Sequence, residues 1–284
     1  MDNTVQTTEQ SLASRITELV LTDQVQLPPL PQVVLKARDL LASEHFNMRA
    51  LGSLLVDDAG IAAALMRLAN SAAFGGMGRV DSLSAAIQRI GQSQVSAMIT
   101  GIGLKSHFQS VNPAKARTLQ VLWDHSVTSA FAARAIAGRI GLNAERAFLA
   151  GLLHDCGKVL VLTALDAIES SRDTHAVSDE TKRELMNALH CELGHRVLVA
   201  WKLPDDVAQA ALLHHETARA GQDLILTVQA ANLITRRLGF HLEPDPTLSV
   251  LEDPVIEELG LTDLQVASLM IDMEDHLTEM KQLF

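Results

Sequence analysis

Apolar positions fall at helical spacing along almost the whole chain. Leu83, Ala86, Ile87 and Ile90 recur at i, i+3, i+4 and i+7, after Ser82 in the place of an N-cap and before Gly91. Asn143 is placed to cap a second stretch, in which Phe148, Leu149, Leu152 and Leu153 make an apolar face. Between these lie Ala-rich segments, Ile61 to Asn70 and Val127 to Ile140. Small residues at helical spacing let helices approach closely, and Ala is the strongest helix former. No alternating pattern flanked by turn residues predicts a strand, so the expected class is all-α.

Breakers divide the helices. Leu27-Pro28-Pro29-Leu30-Pro31 predicts a stiff, extended entry to the first domain helix, because proline fixes φ and restricts the residue before it. Phe74-Gly75-Gly76-Met77-Gly78 predicts a loop that bends freely. Leu203-Pro204 is expected to stop the helix carrying Trp201, and Pro244 and Pro246 to open a C-terminal extension. Residues 1–26 read as a partly ordered helical leader, and residues 241–284 as a helical extension. No internal repeat or low-complexity tract stands out.

Composition narrows the function classes. With 284 residues, 48% of them hydrophobic, the chain can bury one large core or two smaller lobes. The mean hydropathy, +0.16, is high. The longest apolar run, Ala147 to Leu165, is interrupted by His154, Asp155 and Lys158, so it reads as buried helix and no membrane partner is expected. Two cysteines, Cys156 and Cys191, are too few for a disulfide framework and match no zinc-finger spacing. The opening Met-Asp-Asn-Thr lacks the basic patch and apolar stretch of a secretory signal, so a cytoplasmic location is expected. A net charge of −11 repels phosphate backbones, and the absence of Tyr removes stacking platforms, so nucleic acid is a poor partner.

Candidate chemistry lies in the histidines. His125 stands in Trp123-Asp124-His125-Ser126, His154 and Asp155 are adjacent at the end of an apolar helix, and His190 and His214-His215 follow. Imidazole with carboxylate suits a borderline divalent ion such as Mn, Fe or Zn, which would lower the pKa of a bound water for attack on phosphorus. Lys158 follows His154 by about one helical turn and could neutralise a phosphoryl oxygen, if the helix continues through Gly157. Each residue also has a plainer reading. A single His on an apolar helix is usually core or boundary packing. The His154-Asp155 pair could hold two helices through one buried hydrogen bond. Lys158 could answer the dipole at a helix C-terminus, and Cys156 could be a small buried apolar residue.

Several blocks together resemble a known family. Leu27-Pro28-Pro29-Leu30-Pro31, Leu65 to Gly75 with Ala69-Asn70-Ser71 inside it, and Ser82 to Gly91 resemble the N-terminal half of HDOD domains. Trp123-Asp124-His125-Ser126, Phe148 to Lys158, Glu192-Leu193-Gly194, Trp201-Lys202-Leu203-Pro204 and His214-His215-Glu216 resemble the second half, in the same order. The resemblance spans about residues 27–240. It implies an all-α fold with an N-terminal helical lobe, 27–110, and a lobe similar to HD-type metal phosphohydrolases, 111–240. It also implies a bacterial signalling role, with many relatives acting as regulatory or scaffolding modules after loss of metal ligands.

Matched to the HD pattern, His125 takes the first-histidine position and His154 and Asp155 the paired position. His190 and His214 or His215 match extra histidines of HD-GYP phosphodiesterases. The last acidic ligand falls in Thr227 to Ile234, where this chain has Asn232. An amide oxygen is neutral and coordinates more weakly than a carboxylate. The Gly-Tyr-Pro element of HD-GYP enzymes is absent, since the chain has no tyrosine. Two functions therefore stand as expectations. One is a regulatory module that binds a signalling protein through the N-terminal lobe and the Gly75 to Gly78 loop, with or without a retained metal. The other is a metal-dependent phosphohydrolase in which His125, His154, Asp155, Asn232, His190, His214 and His215 bind Mn, Fe, Zn or Mg and Asp155 and Lys158 act in the chemistry.

Overall fold

A computed structural model describes residues 2–26, 29–43, 45–56, 58–71, 74, 78–171, 176–217 and 221–283, with the side chains of 2–10, 56 and 276–283 left aside. The expectations for Leu27, Pro28, Ala72, Ala73, Gly75, Gly76, Met77 and Ala218 to Ala220 fall outside those residues. The helices in chain order are α1 (Asp2–Leu21), α2 (Gln32–Ala42), α3 (Met48–Val56), α4 (Ala59–Ala69), α5 (Leu83–Ile90), α6 (Gln92–Leu104) and α7 (Pro113–Ile140). They continue as α8 (Ala144–Leu153), α9 (Cys156–Glu169), α10 (Asp179–Ala200), α11 (Asp205–Leu213), α12 (Asp223–Arg237), α13 (Pro254–Glu258) and α14 (Asp263–Leu283). No strand occurs among the described residues, so the chain is all-α.

The chain divides into two compact units that are discontinuous in sequence. One consists of Met1–Pro28 with Leu153–Ile225, the other of Pro29–Leu152 with Leu226–Phe284.

In the first unit, α9 lies along α10, α10 packs on α11, and α1 lies against α9 and α10. The leader is thus a helix that contributes buried Ile16 and Val20. Gly157 of α9 and Gly194 of α10 set the closest approach. A Cβ at Gly157 would overlap the carbonyl oxygen of His190 and stand 2.7 Å from the Gly194 nitrogen. Glycine is required there because the backbones themselves are in contact. Helix α10 ends at Ala200 and the chain turns at Lys202, whose φ is +52°. The stop therefore precedes Leu203-Pro204, and Pro204 instead stands at the N-cap of α11.

In the second unit the long helix α7 is the spine. Asn112 caps it, its Oδ1 accepting from the backbone nitrogens of Ala114 and Lys115, and Gly141 closes it in the left-handed region. Its Ala-rich stretch contributes Ala130, Ala132, Ala133 and Ala137 to the core, and a Cβ on Gly151 of α8 would stand 2.6 Å from the Ser129 carbonyl oxygen. The alanine and glycine positions are therefore contact points between backbones. The Ser82 cap forms as expected, with Oγ accepting from the Ala85 nitrogen, and Asn143 Oδ1 accepts from the nitrogens of Glu145 and Arg146.

Asn70 at the end of α4 holds the following loop. Its Oδ1 accepts from the Val80 nitrogen at 2.9 Å, and its Nδ2 donates to the carbonyls of Val80 and Met66 at 2.9 and 3.0 Å. Arg89 supports the same turn by donating to the carbonyls of Ala69 and Gly78. The C-terminal α14 packs on α7 through buried Val266, Leu269 and Met273. Among the described residues one stretch, Ala144–Glu169, is long and apolar enough to cross a membrane. It is interrupted by the turn at His154-Asp155 and is mostly buried.

Candidate functional site

Helix α8 stops at Leu153, His154 and Asp155 form a turn, and α9 begins at Cys156. Asp155 occupies the N-cap position of α9, yet its carboxylate does not cap the helix. An aspartate in that place usually accepts from the first turn's N–H groups. Here Oδ2 instead lies 2.6 Å from Lys158 Nζ, while Oδ1 faces His190 Nε2 at 3.3 Å and His214 Nε2 at 3.6 Å. Lys158 therefore sits in the first turn of α9 and not at a helix C-terminus. The helix dipole opposes a cation there, and the ammonium is held by Asp155. Both side chains are buried, Asp155 at 3% and Lys158 at 2% exposure, a degree of withdrawal that charged residues reach only when paired.

The Gly157–Gly194 approach is what brings His190 to this carboxylate. His190 Nδ1 lies 2.8 Å from the Met186 carbonyl and 3.0 Å from that of Asn187. His214 Nδ1 lies 2.9 Å from the Ala211 carbonyl. A carbonyl only accepts, so each Nδ1 carries the proton and each Nε2 presents a lone pair. The two Nε2 atoms stand 3.3 Å apart. Two nitrogen lone pairs and a carboxylate oxygen thus converge on one another, an arrangement that repels itself unless a proton or a metal cation lies among them. Backbone carbonyls that fix the tautomer of a ligating histidine are the usual outer support of a metal site. The donor set therefore fits a divalent cation.

His154 is buried with Nε2 3.6 Å from Asp155 Oδ2, and its ring meets that of His214 edge-on. His215 lies at the exposed border of the cluster, its ring centroid 4.1 Å from that of His214 and 5.1 Å from that of His190. Cys191, adjacent to His190, places Sγ 3.4 Å from His190 Nε2. Ligand atoms of His190, Cys191, His214 and His215 all lie within 4.8 Å of one another. Burial dominates the electrostatics. It lowers the His190 pKa to about 4, with Asp155 opposing the shift, and pushes the Cys191 thiol up to about 11. Cys156 is a buried apolar residue, its thiol pushed up to about 12 by burial and then by Asp155.

The first unit thus brings together His154, Asp155, Lys158, His190, His214 and His215. His125 and Asn232 belong to the second unit. His125 on α7 is buried, with Nδ1 2.7 Å from the Phe240 carbonyl, Thr235 Oγ1 at 3.4 Å and the His241 ring edge-on. Asn232 on α12 has its Oδ1 buried without a hydrogen-bond partner among the described residues. Sequence reasoning did not single out Cys191 or the Thr235, Phe240 and His241 surround of His125. Consecutive helical residues normally point about 100° apart, so nothing in the His190-Cys191 dipeptide signals a shared site.

Comparison with known proteins agrees with this architecture. A protein of Treponema pallidum (strain Nichols), itself uncharacterised, is 25% identical over an alignment 247 residues long that covers 82% of this chain and 46% of that protein. The chain therefore spans about half the length of that curated relative. A crystal structure from Shewanella amazonensis SB2B, provisionally described as a metal-dependent phosphohydrolase, superposes with a TM-score of 0.78 at 19% identity, covering 96% of this chain and 99% of that one. An HDOD domain protein of unknown function from Geobacter sulfurreducens gives 0.70 at 21% identity, with 97% and 99% covered. A protein from Marinobacter aquaeolei VT8, provisionally described as acting in signal transduction, gives 0.66 at 20% identity, with 97% and 65% covered. At such identities the likeness establishes the fold. The HDOD domain model matches residues 27–217, about two thirds of the sequence, and the chain belongs to the HDOD family.

Proposed function

We propose that this chain is a non-catalytic HDOD regulatory module that binds a signalling protein, its His-Asp-Lys cluster serving to hold the lobe of α9, α10 and α11 rigid. One observation carries this reading. Lys158, the cation that phosphoester chemistry would need beside a phosphoryl oxygen, lies 2.6 Å from Asp155, and both side chains are almost wholly buried. A lysine spent on a buried carboxylate does not offer its charge to a phosphoryl oxygen. The neutral Asn232 at the position of the last acidic ligand supports the same reading, since it leaves a dication one negative charge short.

The runner-up is metal-dependent phosphoester hydrolysis, favoured by the lone pairs of His190, His214 and Asp155 Oδ1 that face one another. A divalent ion (Mn, Fe, Zn or Mg) held there would acidify a bound water. The two are separated by assaying the full chain on bis(p-nitrophenyl) phosphate with Mn(II), beside His154→Ala and Asp155→Ala. The module reading expects no turnover above the protein-free rate and a protein partner that cross-links to the chain's surface. Turnover that both substitutions abolish would overturn it.

A further inference from the structure

We propose that Cys191, with His190, His214 and His215, forms a soft three-nitrogen, one-sulfur site that binds zinc, with the Cys191 thiolate as a direct ligand. The proposal is independent of whether the chain turns over a substrate. Imidazoles alone, or imidazoles with carboxylates, leave a site open to Mn, Fe and Mg. A thiolate shifts the preference toward Zn and away from those harder ions.

The geometry points to sulfur for three reasons. First, a tetrahedral zinc with nitrogen ligands at about 2.0–2.1 Å and sulfur at about 2.3 Å places neighbouring ligand atoms roughly 3.3–3.6 Å apart. His190 Nε2 is 3.3 Å from His214 Nε2 and 3.4 Å from Cys191 Sγ, so two edges of such a tetrahedron already have that length. The remaining ligand atoms lie within 4.8 Å, and His215, on the exposed border, closes the set by side-chain rotation. Second, the Nδ1 atoms of His190 and His214 are tied to backbone carbonyls, so both rings are held with their lone pairs inward. That support exists without the metal, which reduces the ordering required on binding. Third, the cluster has an entry path. His190 and His214 are buried, Cys191 is partly exposed and His215 is exposed, so an ion can arrive from solvent on the sulfur side.

On binding, the Cys191 S–H bond breaks, its proton passes to water, and the sulfur lone pair forms the bond to zinc; no electron is transferred. Asp155 Oδ1, facing the same two Nε2 atoms, helps balance the positive charge.

The test uses the full chain, stripped with chelator and reloaded with Co(II) as a spectroscopic substitute for Zn(II). The expected result is about one equivalent bound per chain. It carries a thiolate-to-cobalt charge-transfer absorption in the near ultraviolet that Cys156→Ala retains and Cys191→Ser loses. Cys191→Ser should also weaken Zn(II) affinity by at least roughly ten-fold. No such absorption in the unaltered chain, or one that survives Cys191→Ser, overturns the proposal. A second measurement needs no variant. Alkylation of the unaltered chain by iodoacetamide, located by mass spectrometry, should slow at Cys191 by roughly ten-fold or more when Zn(II) is added. An unchanged rate at Cys191 overturns the proposal.

Discussion

Asp155 and Lys158 form a buried ion pair, with Oδ2 and Nζ 2.6 Å apart at the start of α9, where the helix dipole disfavours the lysine. The pair stands because each charge compensates the other out of water, which makes the two side chains interdependent. Lys158→Ala should leave an uncompensated carboxylate and cost about 3–5 kcal/mol in urea unfolding. The double variant Asp155→Asn, Lys158→Met, which removes both charges, should recover a large part of that loss. A double variant as unstable as the single one would show that the loss is one of packing and not of charge.

Stability of the metal-free protein should fall with acid because of His190. Its folded-state pKa, about 4, lies below the ordinary 6.5, so in that window the unfolded chain binds the proton more readily. Stability is then complete above about pH 6.5, declines as pH falls toward 4 and levels off for this group below it. The decline is at most about 3 kcal/mol from His190. Urea unfolding in chelator across that range checks it, and His190→Gln should reduce the slope there, leaving the part that belongs to His215, whose pKa burial lowers to about 3.

Gly157→Ala should be severe, because the added methyl meets the His190 carbonyl, which cannot move without displacing α10. A loss of at least about 2–3 kcal/mol is expected. Gly194→Ala, whose Cβ meets the Gly157 nitrogen at 3.3 Å, should cost less. Thermal unfolding of the two variants side by side measures the difference. Gly157→Ala should also perturb metal uptake, since the same helix contact positions His190.

Asn70→Asp is isosteric but should not be conservative. The Nδ2 group donates to the carbonyls of Met66 and Val80, and a carboxylate would turn an acceptor toward both. About 1–3 kcal/mol should be lost. Asn70→Ala should lose a comparable amount by deleting the contacts outright. Trypsin cleavage after exposed Arg79, beside the Val80 anchor, should quicken in both.

The helices were legible because their signals are local. Ser82 and Asn143 cap where a short polar side chain precedes an apolar period, and that competition is settled within one turn. The role of Lys158 was not legible, because it depended on whether the helix ran on through Gly157 or restarted after His154-Asp155. The chain restarts there. Gly157 begins no turn. It is a contact surface for α10, which nothing within one helix announces. Cys191 was invisible for a related reason: its three proposed co-ligands are one neighbour and two residues on the far side of α11.

By itself the sequence determined the class of the fold, the caps and most breaks of its helices, and the candidate ligand types, since each follows from period, propensity and chemistry within a few residues. Tertiary structure decided which side chains share a point in space. The backbone contact between α9 and α10 sets His190 against Asp155, and the carbonyls of Met186 and Ala211 turn two imidazole lone pairs inward. Those are distances between residues remote along the chain, and only packing fixes them.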